Sequence, residues 1–120
     1  MVEFTDLVFN GNLMETEVTY YNNRIVIQPT TICNLNCRYC YLPNRKSKSF
    51  LLDKICEVVA DYTNSKEFNF EIIWHGGEPL ACGIDNFRQY LNYFSNRNCK
   101  HSLQTNATLI DENWCALFLE

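Results

Sequence analysis

The sequence predicts an α/β fold organised on a parallel sheet, and two observations predict it. Short β-branched runs alternate three times with stretches whose apolar residues recur every three or four positions. Such alternation implies parallel strands joined by right-handed crossovers. Each strand-like run also ends in a polar, chemistry-bearing motif. In parallel α/β folds the binding and reacting groups gather at the carboxyl ends of the strands.

Length and composition set the frame. One hundred and twenty residues suggest one domain, and 47% hydrophobic content is ordinary for a folded chain. A net charge of −4 gives no reason to expect nucleic acid as a partner. No apolar run approaches membrane-spanning length, and the opening Met-Val-Glu-Phe-Thr-Asp lacks the basic and apolar regions of a secretory signal. Seven cysteines in such a chain point to a reducing cytoplasm and to metal binding rather than disulfides.

Residues 1–23 read as an N-terminal extension. Leu7-Val8-Phe9, Asn10-Gly11 and Asn12-Leu13-Met14 have the pattern of a hairpin, and a leader that packs without taking part in chemistry fits as well. Residues 24–28, Arg-Ile-Val-Ile-Gln, form a short strand stopped by Pro29. A helix is expected over 50–63, with Leu52, Ile55, Cys56, Val59 and Tyr62 on one stripe. Residues 70–74 are the second strand, followed by a helical stripe of Ile84, Phe87, Leu91 and Phe94 with Tyr90 and Tyr93 flanking it. Asn96-Arg97-Asn98 ends that helix, and the third strand is expected over 102–106. Asp111 is placed to cap a third helix in which Trp114, Leu117 and Phe118 share a face.

The first strand runs into Cys33-Asn34-Leu35-Asn36-Cys37-Arg38-Tyr39-Cys40. Three thiolates from one tight loop can hold a soft metal centre, and three leave one position of a four-coordinate site open. A 4Fe–4S cluster with one free iron fits this count. A zinc site completed by His75 is the alternative, which would make the chain a stand-alone metal-binding module without catalysis. The second strand ends in His75-Gly76-Gly77-Glu78-Pro79. Its glycines permit close approach of backbone amides and carbonyls to a ligand, Glu78 adds an anion, and Pro79 stiffens the exit. His75 is better explained as a loop histidine satisfied by hydrogen bonds than as a ligand. Gln104, Thr105 and Asn106 are polar where a buried strand would be apolar, which suggests that they line a site; a capping role for Asn106 is the structural alternative. Cys56, Cys82, Cys99 and Cys115 stand singly and are assigned to packing.

Together, the C-x3-C-x2-C loop, Gly-Gly-Glu-Pro and Leu-Gln-Thr-Asn-Ala-Thr-Leu-Ile-Asp resemble the radical S-adenosylmethionine (SAM) superfamily. The resemblance is to its SPASM-domain peptide maturases, notably those that form cyclophane crosslinks, and to anaerobic sulfatase-maturating enzymes. It implies a partial (β/α) radical SAM barrel, with residues 24–120 as the N-terminal half. It implies a 4Fe–4S cluster on Cys33, Cys37 and Cys40. SAM would bind beside it, with Gly76, Gly77, Glu78 and Pro79 near its methionine moiety and Tyr39 against its adenine; Gln104 and Asn106 are the further candidates for its site. One electron from the cluster then cleaves SAM to a 5′-deoxyadenosyl radical that modifies a peptide or protein side chain. An electron donor such as flavodoxin or ferredoxin is the implied partner. On this view Gly77→Val abolishes SAM binding and spares the cluster, and the 120-residue segment alone does not turn over. Ala107 departs from the family, where many relatives carry glycine.

Overall fold

The computed structural model describes residues 23–42, 48–95 and 99–120. The possible hairpin at Leu7–Met14 and the helix end at 96–98 lie outside them. Three parallel strands form one sheet in the order β1-β2-β3. They are β1 (Arg24–Ile27), β2 (Phe70–Trp74) and β3 (Cys99–Leu103), alternating with helices α1 (Asp53–Asn64), α2 (Ile84–Asn92) and α3 (Glu112–Leu119). A short 3-10 turn, Pro79–Cys82, separates β2 from α2. Among the described residues no helix is long and apolar enough to cross a membrane.

The alternation of β2 divides the sheet into two faces. Phe70, Ile72 and Trp74 are buried in the core on the helix side. Trp74 packs against Phe87 and Tyr90 of α2 and against Phe94, and Phe70 meets Tyr62 of α1. Burial of each such side chain contributes about 1.5–3 kcal/mol, which makes this aromatic cluster the main support of the sheet. Glu71 faces the other way. The register sets it beside Arg24 on β1 and Lys100 on β3, and Arg24 Nε lies 2.8 Å from its carboxylate. The Ser102 hydroxyl, and after it the Arg24 guanidinium and Lys100, hold the Glu71 carboxyl below the usual carboxylate range against the opposing effect of desolvation.

Several boundaries differ from the expectation. Helix α1 begins at Asp53, three residues late, because Phe50 bridges Thr30 and Leu51 N–H donates to Pro29 O at 2.9 Å. Its buried face is Cys56, Ala60 and Thr63, with Val59 partly covered, while Leu52, Ile55 and Tyr62 are exposed. Small side chains at that spacing let a helix lie close to a sheet, which displaces bulkier neighbours to the flanks. Tyr90, expected at the flank of α2, is core, and Phe118 is half exposed beside buried Trp114 and Leu117. Strand β3 begins and ends three residues early, so Gln104, Thr105 and Asn106 lie in its exit loop. Gln104 N–H still donates to Trp74 O, and the next two residues turn toward Glu78. Cys56 and Cys82 are packed as expected, and burial pushes each thiol up to about 12. Cys115 is not packed; it is exposed on α3.

Candidate functional site at the strand exits

All three strand exits meet at one end of the sheet. Thr30, 1% exposed, starts the cysteine loop: its hydroxyl donates to Ser49 O and accepts from Ile32 N–H. Beyond it, Cys40 N–H donates to Cys37 O and Leu35 N–H donates to Cys33 Sγ at 3.5 Å. Among the described residues none of the seven cysteines forms a disulfide, so none competes for this loop. Cys33 and Cys40 line a cavity of about 230 Å³ together with Leu35, Leu42, Thr31 and Gly77. Among the described residues no three His, Cys, Asp or Glu side chains converge on one point as they would around a single metal ion.

The second exit lies directly behind the loop. Gly76 has φ +90° and Gly77 φ +51°, both in the region that favours glycine. A Cβ on Gly77 would stand 2.5 Å from Ile32 O and 2.7 Å from Thr30 O; one on Gly76 would meet the Gln28 side chain at 2.7 Å. The close approach that requires Gly77 is therefore to the backbone carrying the cysteines. This alters the expectation for a bulkier residue there, since it would displace the cysteine loop itself.

Glu78 is 1% exposed and its N–H donates to Ile32 O at 2.7 Å. Its carboxylate accepts from Leu80 N–H at 3.1 Å, from the Thr105 hydroxyl at 2.5 Å and from Asn106 N–H at 2.8 Å. A buried carboxylate requires such partners, and here they come from the chain itself. Pro79 is buried at the start of the 3-10 turn. Asn106 turns its side chain to the cysteine loop: Nδ2 donates to Asn34 Oδ1 at 3.0 Å, and Asn34 Nδ2 donates to Thr108 Oγ1 at 2.8 Å. Ala107 between them has φ +63°, a conformation natural to the glycine of the family pattern.

The remaining candidates are more loosely placed. Tyr39 is 89% exposed, and Gln104 is exposed on the exit loop. His75 Nε2 pairs with the Tyr41 hydroxyl at 2.9 Å, which matches the reading of a satisfied loop histidine. Beside Gly76, the buried Gln28 Nε2 has no hydrogen-bond partner among the described residues. Sequence reasoning missed Asn34 and Thr108 as partners of Asn106; the signal was a run of polar residues on both loops, and their pairing with Asn34 depends on separations above 70 residues.

A three-thiol loop and a glycine turn joined at the carboxyl ends of parallel strands define an α/β protein with its candidate site at the strand exits. The family model described as Radical SAM superfamily matches residues 27–120, and the chain belongs to that superfamily. It is 37% identical, over 91% of its length, to an uncharacterised protein of Synechocystis, and 35% identical over 80% to the cysteine-type anaerobic sulfatase-maturating enzyme of Clostridium novyi. It covers 31% and 29% of those proteins. Among solved structures it superposes on native anSMEcpe with bound AdoMet and Cp18Cys peptide with a TM-score of 0.65 and 31% identity, covering 78% of this chain and 27% of that one. The chain thus spans less than a third of the length of these relatives, and its three βα units correspond to part of the radical SAM fold.

The donor set fits the cofactors of the superfamily. Cys33, Cys37 and Cys40 stand on one loop outside any disulfide, two of them line a cavity, and a backbone N–H already points at one sulfur.

Proposed function

We propose that Cys33, Cys37 and Cys40 hold a 4Fe–4S cluster and that SAM binds beside it, in a protein that modifies a peptide or protein side chain. The cavity shared by Cys33, Cys40 and Gly77 carries this reading, since it joins the thiol loop to the glycine turn. A cluster held by Cys33, Cys37 and Cys40 would supply the one-electron reduction that cleaves SAM. The chain's own part is to hold and orient. Gly77 stands in the cavity wall with Gly76 in the same turn, and Glu78 with Pro79 fixes the turn from behind. Tyr39 stands in solvent, free to cover an adenine ring. Gln104 and Asn106 border the third exit.

A peptide or protein substrate is supported by the names of the relatives, and the proposed chemistry is a crosslink or an oxidation of the SPASM or ribosomal-peptide type. Flavodoxin or ferredoxin would deliver the electron in a reducing cytoplasm. The test is anaerobic reconstitution with iron and sulfide. A count of about four irons per chain and an electron paramagnetic resonance signal that SAM perturbs are expected. Cys37→Ala should lose the cluster and Cys56→Ala should keep it. Stoichiometric zinc without sulfide would overturn the reading in favour of a metal-binding module.

A further inference from the structure

We propose that Asn106 is a positioning residue for the cysteine loop, acting through Asn34, and that this contact holds the Leu35 N–H on the Cys33 sulfur. The inference rests on the assignment of the cysteines to a cluster. It departs from a role for Asn106 as a ligand to SAM.

The geometry carries it. Asn106 is fixed at its backbone, where its N–H meets the buried Glu78 carboxylate. Its side chain is then fully employed: Nδ2 donates to Asn34 Oδ1, and Oδ1 accepts from both the N–H and the hydroxyl of Thr108. The Thr108 hydroxyl in turn accepts from Asn34 Nδ2, which closes a ring of three side chains. Such a ring uses both ends of each amide and polarises its own members. Asn34 directly follows Cys33, and the next residue supplies the N–H···S bond.

A second path closes the frame. Glu78 N–H donates to Ile32 O immediately before Cys33, and a Cβ on Gly77 would collide with the same carbonyl. The loop is thus gripped on both sides of Cys33, from behind by the second exit and from the side by the third. The ring itself is largely exposed, with Asn34 in solvent, so it adds little to global stability. Its effect is local, on the orientation of one thiol and of one hydrogen bond to sulfur. Hydrogen bonds to cluster sulfurs are among the determinants of reduction potential.

The experiment compares Asn106→Ala, Asn34→Ala and the double variant with the parent protein. In the cluster-free protein, amide hydrogen exchange over 33–37 should become several-fold faster in each single variant, with the thermal midpoint little moved. In the reconstituted protein the midpoint potential should fall in both single variants by similar amounts. The double variant should resemble either single one, because the residues act as a pair. Unchanged exchange and potential in Asn106→Ala, or additive effects in the double variant, would overturn the proposal. If the parent protein takes up no iron–sulfur cluster, the functional reading fails, and the exchange measurement alone still decides the positioning role. Selective loss of SAM affinity with unchanged exchange would make Asn106 a ligand residue and overturn it too.

Discussion

Glu78 and Asn106 leave different strands, yet the buried Glu78 carboxylate accepts the Asn106 backbone N–H at 2.8 Å. Leu80 N–H and the Thr105 hydroxyl share the other oxygen. An anion inside the protein thus ties the second strand exit to the third. Its own N–H ties both to Ile32, one residue before the first cysteine.

Glu78→Gln tests this directly. The carboxamide has nearly the same shape, but it replaces one acceptor oxygen by a donor facing the donors already there. Hydrogen bonds to a charged group contribute about 1.5–3 kcal/mol each, so a loss of about 2–3 kcal/mol is expected in denaturant unfolding. Cluster retention should weaken in the same variant. An equally stable Glu78→Gln protein would show that the carboxylate charge does not matter to the frame.

Gly77→Ala should release iron as well as weaken SAM binding. The added Cβ would stand 2.5 Å from Ile32 O, and the backbone at φ +51° is unfavourable for any side chain. Strain and overpacking together amount to about 2–4 kcal/mol. Iron per chain and SAM affinity, measured on the same sample, check this. Loss of SAM affinity with full iron content would restore the simpler view that Gly77 only makes room for the ligand.

Ala107→Gly should stabilise the protein. Alanine at φ +63° costs about 1–2 kcal/mol, and glycine gives back about 0.5–1 kcal/mol of chain entropy, so a net gain of about 0.5–1 kcal/mol is expected. The midpoint of urea unfolding should rise with an unchanged slope.

The parallel order, the second strand, the Asp111 cap and the placement of motifs at strand exits were legible because each depends on neighbours in sequence. Asp111 accepts from Trp114 N–H, as its position before an apolar run implied. Long-range pairing was not legible. The end of β3 depends on Glu78 capturing Thr105 and Asn106, and the start of α1 on Pro29 holding Leu51. The buried face of α1 follows from how closely the helix approaches the sheet, a quantity that hydrophobic periodicity does not contain. The motif glycine was found from its type, whereas its true neighbour, the backbone of the cysteine loop, came only from the fold.

Acid should weaken this fold through His101 before the carboxylates titrate. The His101 ring stacks on Trp74 with centroids 6.0 Å apart, and the Trp74 indole N–H donates to its Nδ1 at 3.1 Å. Desolvation against this aromatic wall lowers the His101 pKa below 6.5, although the residue keeps an exposed edge. Protonation would also turn Nδ1 into a donor facing another donor. The folded state therefore binds the proton less readily than the unfolded chain does. This contribution is fully present above pH 6.5 and is lost as pH falls from there through the lowered native value. His101→Asn can keep an acceptor near the Nδ1 position and removes the titration. Unfolding free energy measured from pH 8 to about pH 5 should decline in the parent protein and be flatter in the variant. Parallel curves for the two proteins would remove His101 from the account of acid sensitivity and leave it as a packing residue on Trp74.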